Sequence, residues 1–340
     1  MTRRWPRVAV PVGVALAAVL LSACGSSGSP SMLDPKGSEA SHIAGLWWLM
    51  FGIACGVYVI VAGFIVRAIL HKPDENALVD GGEPSVTRRF DDRMIVWGGV
   101  IVPVLILAVL GVVTVTTTNA LRRPEADALR IDVVGKRWWW EVTYPAAHFT
   151  TANELHLPAG RPVEIELTSD NVIHSFWVPQ LAGKVDTIPG QVNTLRFVAR
   201  TPGVYKGECA EFCGIQHAHM GFIVVVESAG AFDRWMLQHS QPPLEPASEA
   251  ADEGMAVFNA QTCAGCHTID GTPAHGDVGP NLTDLGERAT IGAGALENTP
   301  SNLARWIPDA PGVKPGVLMP QLTLSSRDVA LLVTYLESLK

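Results

Sequence analysis

Two long apolar stretches without a charged residue constrain the fold of this chain more than any other feature. The first runs for 24 residues from Ile43 to Val66, and the second for 20 residues from Met94 to Val113. A helix needs about 20 apolar residues to cross the roughly 30 Å hydrocarbon core of a membrane. Residues 43–120 are therefore predicted to form a transmembrane hairpin of two helices.

The beginning of the chain is typical of an export signal rather than of a third span. Residues 1–23 hold three arginines, then an apolar run that starts at Val8, and then small residues that lead into "LSAC". This order predicts a lipoprotein-type signal peptide, whose removal leaves Cys24 attached to membrane lipid as the new N-terminus. The alternative is an uncleaved membrane anchor in which Cys24 is not modified. Residues 24–42 are rich in glycine, serine and proline, and are predicted to be a flexible tether.

Basic residues around the two apolar stretches predict the orientation of the hairpin. Between Cys24 and Ile43 the chain carries one lysine, Lys36, and no arginine. The loop between the stretches carries five basic residues, which are Arg67, Lys72, Arg88, Arg89 and Arg93. Because basic loops stay on the cytoplasmic side, we expect a multi-pass protein of the bacterial cell membrane with everything after Val113 on the outer face.

The outer portion divides by composition into two predicted domains. From Arg130 onward, short β-branched and aromatic runs alternate with glycine, proline and asparagine. This pattern predicts an all-β sandwich or barrel over residues 121–240. A linker rich in proline, alanine and glutamate follows at 241–254, and residues 255–340 have helical features. The net charge of −8 provides no basic face for nucleic acid.

Cys263, Cys266 and His267 form the motif "CAGCH". At this spacing both thiols can bond one haem while the histidine binds its iron, although zinc and thiol redox sites use similar cysteine pairs. Met319, 52 residues beyond His267, is the candidate second axial ligand, and the alternative for it is a buried core methionine. Met255 precedes the motif and is predicted to pack. Histidine with methionine raises the haem potential, which suits an electron carrier.

The stretch that contains this motif resembles a class I cytochrome c. The resemblance covers residues 255–340. It is carried by five motifs, which are "CAGCH", "GPNL" at 279–282, "RWI" at 305–307, "KPGVLMP" at 314–320 and the closing "LVTYLESL". The resemblance implies an all-α cytochrome c domain that holds one covalent haem c through the four residues named above.

A second cluster of metal-capable side chains lies in "GECAEFCGIQHAHMGF", residues 207–222. Cys209, Cys213, His217 and Met220 follow one another there at intervals of three or four residues. Zinc could use the thiolates and the imidazole, but thiolate, imidazole and thioether together favour copper. In an exported chain the two cysteines could also form a disulfide. Two bridging thiolates would hold two copper ions, and these would need a second histidine.

His174, in "NVIHSFWVP", is the candidate for that second histidine. It lies at the end of a predicted strand, 35 residues before Cys209. The alternative is a core histidine whose ring nitrogens are satisfied by hydrogen bonds.

From the membrane hairpin to about residue 240, the chain resembles subunit II of cytochrome c oxidase with its dinuclear copper A centre. Four motifs carry the resemblance, which are "GKRWWWEVTYP", "HSFWVP", "KVDTIPG" and "CAEFCGIQHAHM". The resemblance implies a cupredoxin-like all-β Greek-key barrel. It also implies a set of copper ligands, namely the bridging thiolates of Cys209 and Cys213, the imidazoles of His174 and His217, the weakly bound Met220 and the backbone carbonyl of Glu211.

The same resemblance implies roles for residues outside the ligand set. Trp138 occupies the position of electron entry, and the Glu211 side chain reaches a magnesium ion shared with subunit I. Lys184 and Asp186 are expected at the subunit I interface, with an exposed turn as the alternative. His219 matches no ligand position.

The two resemblances together imply the electron-input subunit of a heme-copper terminal oxidase, with its donor domain fused to it. A cytochrome c or a cytochrome bc complex would reduce the haem, the coppers would receive the electron, and subunit I would reduce oxygen and pump protons. The expected partners are this donor, subunit I, the other oxidase subunits and, at Cys24, membrane lipid. The alternative is the small subunit of a copper A-containing nitric oxide reductase. A quinol oxidase subunit would lack the copper ligands, and a copper carrier would leave the haem domain unexplained.

Overall fold

A computed structural model describes residues 30–70, 92–121, 127–241 and 248–340. The predicted signal peptide, Cys24 and most of the loop between the two apolar stretches lie outside the described residues.

Both apolar stretches form long helices. Helix α1 spans Ser38–Leu70, and helix α2 spans Val102–Leu121 directly after a π-helical segment at Trp97–Ile101. Pro103 has no N–H to donate to the carbonyl one turn earlier, and the wider π turn lies where that hydrogen bond is missing. No residue in the most apolar part of either helix is buried, and both helices are long and apolar enough to cross a membrane.

Ten strands form two five-stranded sheets. In chain order they are β1 (Leu129–Lys136), β2 (Trp139–Tyr144), β3 (Phe149–Ala152), β4 (Glu154–Pro158), β5 (Pro162–Ser169), β6 (His174–Trp177), β7 (Val185–Thr187), β8 (Asn193–Val198), β9 (Gly203–Cys209) and β10 (Gly221–Glu227). One sheet has the order β3-β2-β1-β5-β8, and the other has the order β4-β10-β9-β6-β7. The pairs β1–β5 and β4–β10 are parallel, and the remaining pairs are antiparallel.

Alternate residues of these strands fill one hydrophobic core. Ile131 and Val133 on β1, Ile165 and Leu167 on β5, and Val224 on β10 are completely buried. Side chains on a strand point to opposite faces in turn, so each of these strands directs every second residue into the core. The predicted all-β, cupredoxin-like domain is confirmed.

Strands β6 and β9 lie side by side and bring distant parts of the sequence together. They are antiparallel and pair Phe176 with Cys209. The start of β6, where His174 lies, is therefore next to the loop that follows β9. That loop returns to the sheet as β10, which pairs with β9 along its length.

Helices dominate the rest of the chain. They are α3 (Ala229–His239), α4 (Glu249–Ala260), α5 (Pro300–Trp306), α6 (Ala310–Val313) and α7 (Ser326–Ser338). Helix α3 packs on β4 of the sheet domain, whereas α4 and α7 pack on each other. At their crossing a Cβ on Gly254 would lie 2.2 Å from the Leu331 carbonyl oxygen, so this close approach requires glycine. The predicted helical domain is confirmed.

Helix α4 begins earlier than the predicted domain start at residue 255. Its N-cap is Ser248, whose hydroxyl accepts a hydrogen bond from the Ala251 N–H at 3.2 Å. Such a cap satisfies one of the free N–H groups at a helix start. Alanine and glutamate favour helices, so part of the sequence predicted as linker is helical.

Candidate functional site

Five sulfur and nitrogen donors converge at the end of β9. The Cys209 Sγ lies 3.8 Å from the Cys213 Sγ and 3.9 Å from the His174 Nδ1. The Cys213 Sγ lies 3.9 Å from both the His217 Nδ1 and the Met220 Sδ. Two ligands bound to one metal ion at about 2.0–2.3 Å lie roughly 3.3–3.8 Å apart in tetrahedral geometry. The spacing of these donors therefore fits metal ions bound between them.

Backbone hydrogen bonds hold the loop that carries most of these donors. The Cys209 N–H donates to the Met220 carbonyl at 3.1 Å and joins the two ends of the loop. The Ala210 N–H donates to the Ser175 carbonyl at 2.9 Å and ties the loop to β6. The ligand positions are thus fixed by neighbouring strands rather than by the loop alone.

His174 is completely buried and oriented by a second side chain. Its Nε2 is 3.2 Å from the Asn171 Oδ1, so its Nδ1 is free to face the thiols. Such an outer partner fixes the ring orientation of a metal-binding histidine. Burial lowers the pKa of His174 to about 4, and the imidazole is therefore neutral and able to bind a metal at neutral pH.

The two thiols also favour a bound cation. They are free cysteines, and burial together with the nearby Cys209 raises the pKa of Cys213 to about 12. Without a cation, two buried thiolates would repel each other and lack hydration. A bound metal removes both penalties, because thiols bind metals in the deprotonated form. Thiols, imidazoles and a thioether together suit copper better than zinc.

Other residues singled out in the sequence lie at the surface near this cluster. The Glu211 carbonyl oxygen is 3.2 Å from the Cys209 Sγ, whereas its exposed carboxylate accepts a hydrogen bond from the N–H of the next residue at 3.1 Å. His219 is exposed. Lys184 and Asp186 are also exposed, at the edge strand β7. Their charged groups are therefore available to a partner.

A second donor cluster, in the helical domain, lines a cavity of about 230 Å³ that side chains of both domains enclose. Cys263, Cys266, His267 and Met319 all line it. Most of the other lining side chains are apolar, and they include Leu303, Trp306, Leu332 and Leu336. An apolar cavity that presents two thiols, an imidazole and a thioether fits a covalently bound haem with two axial ligands.

The surroundings of His267 prepare it for a role as ligand. Its Nδ1 donates to the Pro280 carbonyl at 2.8 Å, which leaves Nε2 free for an iron. A Cβ on Gly279 would come within 2.5 Å of the His267 ring, so glycine allows the backbone to pack closely on it. Burial lowers the pKa of His267 and favours the neutral form that binds metals.

The three consecutive tryptophans take different positions. Trp140 is completely buried in the core of the sheet domain. Trp139 packs on Ala293 of the helical domain. The Trp138 Nε1–H donates to the Cys213 carbonyl at 2.8 Å, and the same side chain lines the cavity that contains the helical-domain donors. Trp138 thus contacts the first donor cluster and the cavity of the second.

Three residues near these clusters were not predicted from the sequence. Asn171 orients His174, and the Gln216 side-chain amide donates to the carbonyl of Pro315. The Lys314 ammonium donates to a carbonyl of the first cluster's loop. All three residues lie in motifs named above, but their contacts depend on folding and have no sequence signal of their own.

The fold and the two clusters define a membrane-anchored electron-transfer protein with one site for copper and one for haem. The family described as "Cytochrome C oxidase subunit II, periplasmic domain" matches residues 146–229, and the family described as "Cytochrome c" matches residues 251–340. Cytochrome c oxidase subunit 2 of Alkalihalophilus pseudofirmus is 35% identical over 332 residues, which are 95% of this chain and 94% of that protein.

Two further relatives extend the comparison. Cytochrome c oxidase subunit 2 of Bacillus subtilis is 30% identical over 364 residues and covers 100% of this chain and 99% of its own length. The solved periplasmic domain of subunit II of cytochrome oxidase from Bradyrhizobium japonicum is 31% identical. It covers 34% of this chain and 95% of that chain, with a TM-score of 0.33.

The chain belongs to the cytochrome c oxidase subunit II family and carries a cytochrome c domain after its subunit II domain. It is therefore a subunit of an oxidoreductase, with a role in electron input and in association with subunit I. The first domain implies copper A, and the second implies haem. The two apolar helices and the periplasmic-type domain indicate a membrane anchor with domains on the outer face.

Proposed function

We propose that this chain accepts electrons at a covalent haem c, transfers them to a dinuclear copper A centre and delivers them to subunit I, which reduces oxygen to water and pumps protons. An upstream cytochrome c or cytochrome bc complex is the donor. The position of Trp138 carries the proposal, because its indole hydrogen-bonds to Cys213 and also lines the cavity that contains His267. The two donor clusters therefore lie on either side of one side chain.

The proposed ligands are the residues whose donors converge in each cluster. The thiols of Cys263 and Cys266 would attach the haem, and His267 and Met319 would bind its iron. The copper ligands are Cys209, Cys213, His174, His217, Met220 and the Glu211 carbonyl. The exposed Glu211 carboxylate is available for a magnesium ion shared with subunit I, and Lys184 and Asp186 contact that subunit. Removal of residues 1–23 and lipid attachment at Cys24 complete the proposed membrane anchor.

The protein's contribution is to hold both sites rigid and dry. When bound, the haem and the copper ions supply reversible one-electron chemistry. Asn171 and the Pro280 carbonyl fix the rings of His174 and His267, and such outer contacts keep ligand geometry constant. Burial of Cys209 and Cys213 excludes water from the sulfur donors. Little rearrangement is then needed when an electron arrives or leaves.

Metal analysis and flash kinetics of the full chain test the proposal. Purified with copper and haem supplied, the chain should hold two copper ions and one haem, with a spectrum of one electron shared by both coppers. Reduction of the haem by a flash should be followed by electron transfer to the copper. One zinc ion, or a Cys209–Cys213 disulfide without copper, would contradict the proposal. Consumption of nitric oxide instead of oxygen by the complete complex would favour the nitric oxide reductase alternative.

Trp138→Phe should slow electron transfer between the two sites. The change removes the N–H that donates to the Cys213 carbonyl, and it replaces the indole between the clusters by a smaller ring. We expect a fall in the haem-to-copper rate of about tenfold, because small losses of positioning have large effects on rates. Flash reduction of the full chain measures this rate.

Trp235→Phe is the matched control for this change. Trp235 lies on α3 and stacks on His156 at 4.1 Å between ring centroids, and it lines neither the haem cavity nor the copper cluster. Trp235→Phe should therefore leave the haem-to-copper rate unchanged. Equal haem-to-copper rates for Trp138→Phe and the parent chain would show that electron transfer does not depend on Trp138.

A further inference from the structure

We propose that Lys314 is a positioning residue. It holds the haem-ligand loop of the helical domain, residues 314–320, on the copper-ligand loop of the sheet domain, residues 209–220. The proposal rests on the proposed function of the two clusters. Lys314 follows α6 and lies five residues before Met319. Its ammonium donates to the His219 carbonyl at 2.8 Å and to the Gly292 carbonyl at 2.7 Å. The first of these bonds joins the loop that carries Met319 to the loop that carries Met220, and the second anchors the ammonium within the helical domain.

Neighbouring contacts show that the two loops touch over several residues. The Gln216 side-chain amide donates to the Pro315 carbonyl. A Cβ on Gly316 would lie 2.7 Å from the Ile215 Cδ1, and Gly316 has a φ of +96°. Glycine is therefore the residue that allows this approach. Lys314 lies beside this contact and supplies its charged hydrogen bonds.

The burial of Lys314 indicates a role other than general stability. Its relative exposure is 6%, and no carboxylate among the described residues lies within 4.0 Å of its ammonium. Burial lowers the pKa of Lys314 to about 8. An unpaired buried ammonium is costly, and an apolar residue would fill the same space at a lower cost. Instead, the hydrogen bond to the Gly292 carbonyl orients the ammonium within the helical domain, and the bond to the His219 carbonyl fixes its loop against the copper-ligand loop.

The contact lies where relative position affects the proposed electron transfer. Gln216 and Lys314 line the same cavity as Trp138 and His267. A shift of the haem-ligand loop would change the separation of the clusters on both sides of Trp138. Displacements of about 1 Å can change rates by orders of magnitude when groups must be held in place. Lys314 is placed to prevent such a shift.

A separate set of contacts joins the two domains away from Lys314. The Thr151 hydroxyl donates to the Asp284 carboxylate at 2.6 Å, and the Ala289 N–H donates to the Glu154 carboxylate at 3.0 Å. These contacts do not involve the ligand loops. Loss of Lys314 should therefore loosen the ligand loops without separating the domains.

Lys314→Met in the complete oxidase tests the proposal. The methionine keeps an apolar stem of similar length but removes the ammonium. We expect the haem-to-copper rate after flash reduction to fall by about tenfold, while the haem and copper contents and spectra stay unchanged. Direct reduction of the copper by a small external reductant should keep the parent rate, because it bypasses the haem. Amide hydrogen exchange of residues 214–222 should become faster.

Lys340→Met is the matched control, since it removes the same charge from an exposed position of the same domain and should change none of these readouts. A haem-to-copper rate within about twofold of the parent would overturn the proposal. If Lys314→Met loses haem or copper, Lys314→Gln, whose side chain is shorter and neutral, is measured in its place. A haem-to-copper rate of that variant equal to the parent rate would likewise overturn the proposal. Absence of transfer in the parent oxidase would instead contradict the proposed function itself.

Discussion

Cys209→Ser is expected to remove both copper ions and to leave the haem in place. A serine hydroxyl is a harder donor than a thiolate and binds copper poorly in such a site. The Cys209 Sγ is the donor nearest to both the His174 Nδ1 and the Cys213 Sγ, at 3.9 and 3.8 Å, so its loss leaves the remaining ligands without a common bridge. Copper should fall from two ions to less than one for each chain, as measured by elemental analysis.

Activity and a matched cysteine complete this test. Oxygen uptake by the complete oxidase should fall by at least about 100-fold, since outer contacts of metal ligands alone are worth 10–100-fold. Cys55→Ser is the control, because Cys55 is a free cysteine exposed on the apolar helix α1, and it should keep both ions. Retention of two coppers and their spectrum by Cys209→Ser would show that this thiol is not a bridging ligand.

Met319→Ala is expected to lower the reduction potential of the haem strongly while the haem stays attached. The thioether stabilises the reduced iron, so histidine–methionine ligation gives a high potential. We expect a decrease of at least about 0.1 V, within the roughly 0.8 V that axial ligands can span. A redox titration of the haem absorbance measures the midpoint potential. Covalent attachment through Cys263 and Cys266 should be retained on a denaturing gel.

Met255→Ala separates ligation from packing. Met255 is partly buried against the core of the helical domain, and its loss should destabilise the domain without a large change in potential. Truncation of a buried methionine typically costs about 2–5 kcal/mol, with less expected at a partly buried position. A midpoint potential of Met319→Ala equal to that of Met255→Ala would mean that Met319 is not bound to the iron.

Local sequence patterns predicted most of the fold and most members of the candidate sites. The hairpin follows from uncharged length, because a bilayer accepts only long apolar helices. The donors from Cys209 to Met220 and the motif at Cys263 are close in sequence, so their proximity does not depend on the rest of the fold. His174 became a candidate only because the downstream donors need a second histidine, since a single histidine in a strand has no chemistry-specific spacing.

The start of α4 and the orienting contacts were not predicted, for different reasons. Helix α4 begins at Glu249 because Ser248 caps it, whereas the nearby prolines favoured a linker in the sequence. Asn171 orients His174 from only three residues away, but asparagine in a turn is so common that it indicates nothing specific.

The sequence by itself determined the classes of the three parts and the donors that each site offers, because periodicity and short spacing express local chemistry. Only the tertiary structure decided how the two outer domains meet. The contacts from Lys314 to His219 and from Thr151 to Asp284 join residues 95 and 133 positions apart. Hydrogen bonds between such distant groups leave no pattern in the chain, and they exist only where folding brings the two surfaces together.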